Sequence, residues 1–513
     1  MWTILTEATN EYARLKIREA REGKDPIEAM LHHSHQTHAR HNSWKDVNES
    51  EMKIFIAHLI VMGLVKKSRL EKYWCKDHFT ATPFFGTYMS RNRFQNILWN
   101  LHVSSETDVN PQYGAPGHDA LFKIRPFIEM LQRNFKYTYI PNKETSMDES
   151  CCPFKGRVRF KCYNKNKPNK FHIKMYMVSE ADSGYVSGFE VYTGKGTHDI
   201  SDDCQTQEES TRTTRIVLGL LQSLNQLDRG FHVYFDNYYN SPELIQELYK
   251  RKTHGCGTVR SNRKNLPKAV TEANLSKGES VFRRKEAMLA VKWRDKRDVT
   301  VLTSIHSANE VITNKKNYKG DAVIKPEAIF LYNRYMSGVD LSDQYLESYG
   351  FLRRTVKWWR KLFIHLFNML ILNGYVLNKK FGKSQMSHMV YREHIAQYLI
   401  KSALQKKTEP ASYNLNPSAK DTPIRLAGKH FPSQIYAQHG CKRKRPSRAC
   451  HACNFTQKQL SKFTHNGVNL KKKYTSYWCP LCETPLCIGR CFEFYHIKND
   501  YRRPLLQTRL NGI

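Results

Sequence analysis

Three stretches of this 513-residue sequence carry side chains that could do chemistry together. Asp148 stands in "SMDES", Asp236 closes the strand-like run "FHVYF", and Asp340 and Asp343 lie three apart in "SGVDLSDQ". Carboxylates drawn together from separate elements repel one another unless divalent cations sit among them. Two such ions can activate a water or a hydroxyl and stabilise both the attacking and the leaving oxygen of a phosphodiester. Hard oxygen donors suit Mg2+. Spacing alone does not single these four out among 47 acidic residues, so the surrounding sequence must.

A second set lies near the C-terminal end. "CHAC" (Cys450, Cys453), "CPLC" (Cys479, Cys482), Cys487, Cys491 and His496 have the thiolate-pair spacing of tetrahedral zinc. Two zinc ions need eight ligands and seven are evident; His451, His465 or Cys441 could supply the eighth. Whether the module holds one zinc or two, and how the ligands divide, stays open. Its plain reading is a structural cap or a protein contact.

Composition limits what the whole chain does. With 82 Lys and Arg against 47 Asp and Glu, the net charge of +35 favours polyanionic partners, nucleic acid first. The longest apolar run, "IFIAHLIVMGLV" at 54–65, is too short to span a bilayer, so no membrane association is expected. The opening residues lack the parts of a signal peptide. Seven of the 13 cysteines fall between 441 and 491, which fits metal ligation in an intracellular protein better than a disulfide framework. "KRKRPSR" at 442–448 reads as a nuclear localisation signal or a phosphate-binding linker. Three basic groups are DNA-backbone candidates: Lys155, Arg157, Arg159 and Lys161; Arg260, Arg263 and Lys264; and Arg353, Arg354, Lys357, Arg360 and Lys361.

The elements that must position these residues follow from periodicity. Residues 1–143 read as helical. Asn48 and Glu51 resemble a capping box ahead of Met52, Phe55, Ile56, Leu59 and Gly63, and Ser90 caps Phe94, Ile97, Leu98 and Leu101. From about 144 the period becomes that of strands. "FKGRVRFK" alternates, which predicts a strand with Lys155, Arg157, Arg159 and Lys161 on one face and Phe154, Val158 and Phe160 on the other. Two strands joined by an Asp-Ser-Gly turn follow, then a helix at 213–227 and the strand ending at Asp236. Residues 257–325 are strand-rich and basic, and "GVDLSDQY" leads into a helix with Trp359, Leu362, Phe363, Leu366 and Leu370 on its core stripe. A polar stretch at 405–447 reads as a linker.

The segments around the aspartates are distinctive. "SMDESCCPFKGRVRFKCYNKNKPNKFHIKMYMVSE", "VYFDNYYNSPELIQELYKRKTHGCGTVRSNRKNLPK" and "YNRYMSGVDLSDQYL" with "WWRKLFIHLFNMLILN" resemble the piggyBac transposase family, in order and over nearly the whole chain. The resemblance implies an α/β multidomain protein with a ribonuclease H-like core. It places a first helical dimerisation and DNA-binding part at 1–143, the core at 144–260 and 326–344, and an insertion domain at 261–325. The second helical part falls at 345–404, a basic linker at 405–447 and a cysteine-rich zinc-binding domain at 448–500. On that likeness Asp148, Asp236, Asp340 and Asp343 hold two Mg2+ ions, with Asn237 and Tyr238 at the pocket edge. The implied reaction is cut-and-paste transposition of double-stranded DNA. Hydrolysis at each transposon end frees a 3′-hydroxyl, which forms and then resolves a hairpin and finally joins TTAA target DNA. A homodimer acting in the nucleus is expected, with the cysteine-rich domain reading transposon ends beside "NLKKKY" and Arg490. The family's transposases usually carry a longer acidic N-terminal segment, whereas this sequence opens almost at once in the helical region. The alternative is therefore a domesticated, catalytically silent DNA- or chromatin-binding protein.

Overall fold

A computed structural model describes residues 1–22, 44–105, 109–194, 211–316, 320, 322–351, 355–382, 385–405, 430–435, 446–463, 472–498, 501–502 and 504–505. The chain divides into two compact units, Met1–Lys66 with Gln95–Leu404, and Lys67–Phe94 with Gln405–Ile513.

The first unit opens with helices α1 (Trp2–Glu22) and α2 (Glu49–Leu64). Asn48 caps α2 as expected, its side-chain oxygen accepting from the Glu51 N–H at 2.9 Å. The predicted apolar face is buried, and so are Ile54, Ala57, His58 and Ile60, so α2 lies wholly inside the unit. The short helix α3 (Pro83–Tyr88) belongs to the second unit, α4 (Arg91–Asn100) spans the boundary at Gln95, and α5 (Arg125–Thr138) returns to the first. The Arg93 N–H reaches Ser90 Oγ at the start of α4, at 3.3 Å.

A nine-stranded sheet follows: β1 (Glu144–Pro153), β2 (Lys161–Tyr163), β3 (Phe171–Glu180), β4 (Val186–Val191), β5 (His232–Phe235), β6 (His254–Thr258), β7 (Ser280–Lys285), β8 (Met288–Arg294) and β9 (Asp298–Thr303). Its order is β2-β3-β1-β5-β6-β9-β8-β7, with β4 also on β3. The β1, β3 and β4 ladders are antiparallel, whereas β5 and β6 run parallel to β1. Parallel neighbours need a crossover, which α6 (Arg212–Ser223) and α7 (Pro242–Lys250) provide. One sheet face, with Met147, Val233 and Phe235, packs on Ile216, Leu220, Leu244 and Leu248 of those helices. The short helix α8 (Lys268–Thr271) follows β6. Strands β7–β9 of the expected insertion continue the core sheet through β6 and β9, while β10 (Glu310–Lys316) and β11 (Ala322–Pro326) form a ribbon of their own.

Helices α9 (Glu327–Tyr335), α10 (Gly338–Ser348), α11 (Trp358–Phe381) and α12 (His388–Gln405) complete the unit. Phe363 of α11 packs on Phe127 of α5, ring centroids 4.7 Å apart, so helices from before and after the sheet share one core. Asn373 of α11 exchanges two hydrogen bonds of 2.9 Å with the Val186 backbone at the start of β4.

The expected strand over 154–160 does not form. Pro153 ends β1 on one edge of β3, and Lys161 begins β2 on the other, paired with Ile173. The chain must cross the end of β3 between them and cannot ladder on the way. Its alternation survives as burial: Phe154 and Phe160 point inward, and Lys155, Arg157 and Arg159 are exposed. A Cβ at Gly156 would lie 2.4 Å from the Phe154 ring, so the crossing needs a glycine there.

In the second unit, β12 (Ser433–Gln434), β15 (Tyr477–Cys479) and β16 (Thr484–Pro485) form one small sheet, and β13 (Arg448–Ala449) pairs with β14 (Tyr474–Thr475). Helices α13 (His451–Phe463) and α14 (Arg490–Ile497) pack over a core that contains the cysteines. Among the described residues no helix is long and apolar enough to cross a membrane.

Candidate active site and candidate metal centre

The "SMDES" motif is a strand motif. Ser146, Asp148 and Ser150 alternate with Met147 along β1, so all three face away from the Met147 core. The parallel register pairs Met147 with Phe235, which sets Asp236, the next residue after β5, beside Asp148. The two serines receive α10. Ser146 Oγ accepts from the Val339 N–H at 3.1 Å, and Ser150 Oγ donates to Asp343 Oδ1 at 2.6 Å. Ser342 joins the same clamp through Ser179 Oγ at 3.1 Å and Gly184 O at 2.8 Å. Gly338 allows the close approach, because a Cβ there would stand 2.8 Å from the Glu180 carbonyl oxygen and 2.9 Å from Ala181 Cα. Asp340 therefore lies in the first turn of α10 rather than ahead of a helix, and is the exposed member of the four.

Electrostatics tie the carboxylates together. Burial pushes the Asp148 carboxyl up to about 7, opposed by the Glu149 N–H and reinforced by Glu149, Asp236 and Asp340. Burial also raises Asp236, against the N–H groups of Tyr238 and Tyr239. Asp343 is pushed up to about 6 by burial, against the Ser150 hydroxyl and Lys167, with Asp340 adding to the rise. Among the described residues, only the two sets below bring three or more ligand atoms within 4.8 Å of one another, so no three of the aspartates converge that closely. A set of half-buried carboxylates held short of easy ionisation suits hard divalent cations as donors.

The turn after Asp236 is built to hold it. Asp236 Oδ1 accepts from the Tyr238 N–H at 2.9 Å, and buried Asn240 donates to the carbonyls of Gly257 and Leu302. Ser241 then caps α7 on the Leu244 N–H, with Pro242 in the first turn. Arg260 donates to Asn237 Oδ1 at 3.0 Å, and Arg263 donates to the carbonyls of Asn237 and Tyr238 at 3.2 and 2.6 Å. Two DNA-backbone candidates thus brace the turn after Asp236, while Lys264 is exposed.

Lys161 bonds the Gly156 carbonyl, and Arg159 lies over the Tyr113 ring at 3.5 Å. Lys357 is half-buried against the Tyr12 hydroxyl, and Arg360 is buried rather than on the solvated face its type predicts. Arg353 and Arg354 lie outside the described residues, as do most of "KRKRPSR" and both His465 and Cys441. Lys167 was not singled out among the lysines of "NKNKPNK". Burial works to lower its pKa, yet it ends raised because Cys151, Asp148, Glu149 and Asp343 surround it.

The cysteine-rich module resolves the open ligand question. One set is Cys450, Cys453, Cys487 and Cys491; the other is His430, Cys479, Cys482 and His496. The eighth side chain placed to hold a metal ion is His430, within the span read as linker, which β12 ties to β15. His451 instead faces the Tyr501 hydroxyl at 3.1 Å. His430 Nδ1 lies 3.3 and 3.4 Å from the sulfurs of Cys479 and Cys482, and His496 Nε2 lies 3.6 Å from Cys482. His496 Nδ1 is 2.7 Å from the Phe492 carbonyl, which keeps the proton on Nδ1 and leaves Nε2 as the ligand atom. The sets interleave along the chain, so each locks the segment that closes the other.

Residues 1–375 match a family model described as Transposase IS4, which puts the chain in the transposase class. The chain belongs to the piggyBac transposase family. It is 26% identical over 367 residues to human PiggyBac transposable element-derived protein 3, covering 69% of this chain and 59% of that protein. It is 23% identical to human PiggyBac transposable element-derived protein 2, over 70% of this chain and 61% of the relative. The chain thus spans about three fifths of the length of these relatives. A piggyBac transposase in a synaptic complex with hairpin DNA has the same fold, with a TM-score of 0.64 at 21% identity over 80% of each chain.

Proposed function

We propose that the protein is a DNA transposase of the metal-dependent aspartate type, with a ribonuclease H-like core formed by β4, β3 and β1 followed by the parallel β5 and β6. One observation carries the reading: the Met147–Phe235 parallel register brings Asp148 beside Asp236 on the face where Ser146 and Ser150 clamp α10. Divalent Mg2+, two ions held by Asp148, Asp236, Asp340 and Asp343, would supply Lewis-acid activation of the attacking oxygen. The chain's own groups set the conditions. Asp148 and Asp343 must give up their protons, Ser150 stabilises the ionised Asp343, and Lys167 adds positive charge beside the cluster. Zinc in the two cysteine–histidine sets would fold a module suited to reading duplex ends. Transposon-end and TTAA DNA, a homodimer and a nuclear location belong to the same reading; the relative in a synaptic complex with hairpin DNA supports its DNA-binding part.

The completeness of the eight-ligand module favours a second reading, a domesticated protein that binds DNA through that module alone. Excision of a reporter interrupted by cognate terminal repeats separates the two. The wild-type chain should excise, and Asp236→Asn should lose at least about a hundredfold, several kcal/mol of transition-state stabilisation, while still binding end DNA. No excision by either form, with end binding kept, would sink the enzymatic reading.

A further inference from the structure

Arg360 is the third residue of α11 and only 7% exposed, yet its Nε and Nη2 have no hydrogen-bond partner among the described residues. The indole N–H of Trp359, on the same turn, is likewise unpartnered there. Two further cations converge on this spot. Lys123 lies over the Trp359 ring at 4.5 Å, and Lys357 lies at 5.3 Å from the same ring while donating to the Tyr12 hydroxyl at 2.6 Å. His102 stacks on Tyr12 and meets Trp359 edge-on. After burial, Lys123, Arg360 and Lys357 lower the His102 pKa together, which places all three cations near one ring. Glu11, next to Tyr12 in sequence, accepts from Ser105 Oγ at 3.1 Å.

Burying a guanidinium without hydrogen-bond partners is unfavourable, and burial, only partly offset by Tyr12, pulls the Arg360 pKa down to about 10. A built arrangement of this kind calls for an anion. Its shape states which one. A guanidinium fork offers two parallel donors, which match phosphate geometry, and the first turn of a 24-residue helix adds backbone N–H groups that Lys357, as N-cap, does not occupy. The cations are graded from exposed Lys123, through half-buried Lys357, to buried Arg360, so charge draws an anion inward from solvent.

We infer that the niche of Arg360, Trp359, Lys357 and Lys123 is a phosphate-binding subsite that receives a backbone phosphodiester of duplex DNA. The DNA source rests on the function proposed above; the phosphate chemistry does not. In the full-length chain, anisotropy of a labelled duplex across a salt series should show Arg360→Met binding about tenfold more weakly. Its salt slope should fall by about one phosphate contact. Lys123→Gln, at the exposed mouth, should move both in the same direction by less. Without DNA, Arg360→Met should melt at or above the wild-type temperature, since the variant loses an unpaired buried charge. Unchanged affinity and slope in both variants would overturn the subsite. A lower melting temperature for Arg360→Met would also overturn it, because the arginine would then be paired within the chain. If the wild-type chain binds no duplex, the DNA reading fails and inorganic phosphate decides the niche. Stabilisation by phosphate over chloride at equal ionic strength, lost in Arg360→Met, keeps a free-anion site; no such difference removes it.

Discussion

Ser150 shows how far the proposed chemistry would depend on a residue that does none. Its hydroxyl is the donor that offsets burial at Asp343, and a hydrogen bond to a charged group is worth roughly 1.5–3 kcal/mol. Removing it disfavours the ionised carboxylate, so the Asp343 pKa must rise further above its present value of about 6. Ser150→Ala should therefore shift the acid limb of the cleavage pH profile upward by about one unit, with the plateau at high pH largely kept. A profile that falls uniformly at all pH values would count against this role. The serines were visible in the sequence as neighbours of Asp148, but their partner was not. Two-residue spacing gives the face of a strand, while the helix that lands on that face comes from almost 200 residues away. The same limit applied to Arg260 and Arg263. Their charge invited a DNA contact, and only tertiary structure shows them bracing the Asn237–Tyr238 turn. Lys167 was hidden among like residues for the same reason.

At the scale of elements, period and punctuation were good guides where an element sits in a regular environment. The Asn48 cap, the hairpin of β3 and β4, the strand into Asp236 and the apolar stripe of α11 all stand where spacing puts them. They failed at 154–160, where alternation records a chain lying over a hydrophobic edge rather than a ladder. Helix α10 is the element on which the site turns, because it brings two of the four aspartates to the sheet. Gly338→Ala would press a methyl onto the Glu180 carbonyl and Ala181 Cα, backbone atoms that cannot swing aside. The substitution should cost about 1–3 kcal/mol in a denaturant titration and reduce cleavage more than DNA binding. Wild-type stability and activity in Gly338→Ala would show that α10 can shift freely. In the cysteine-rich module, two CxxC pairs drew attention to Cys487, Cys491 and His496 as well, but His430 lies 20 residues before Cys450 in a segment with no ligand motif. Because the sets interleave, Cys479→Ser should release not one zinc but two when metal is counted per chain. A variant that retains one tightly bound zinc would mean the two centres fold separately.

Across the whole molecule, the charge of +35 is spread over a chain whose interior also holds many basic groups. Burial lowers the pKa of His102 and His388 to about 3, and of His232, His306 and His365 to about 4. A histidine depressed in this way stays neutral in the folded chain while its unfolded counterpart takes up a proton near pH 6.5. Its contribution is intact above that value and drains away as pH falls toward 4. Asp148 and Asp343 work in the opposite direction, since their raised pKa values of about 7 and 6 let the folded state bind protons first. Five histidines outweigh these two carboxyls and Asp236, which burial also raises, so net stability should fall between pH 6.5 and 4.5, and the loss should be traceable to single sites. His365 is the sharpest probe because it is buried and depressed by burial and then by Lys361. In urea titrations followed by tryptophan fluorescence, His365→Leu should flatten the dependence of stability on pH by up to one proton across this window. A variant with the wild-type slope would place the acid sensitivity elsewhere, with the other buried histidines next in line.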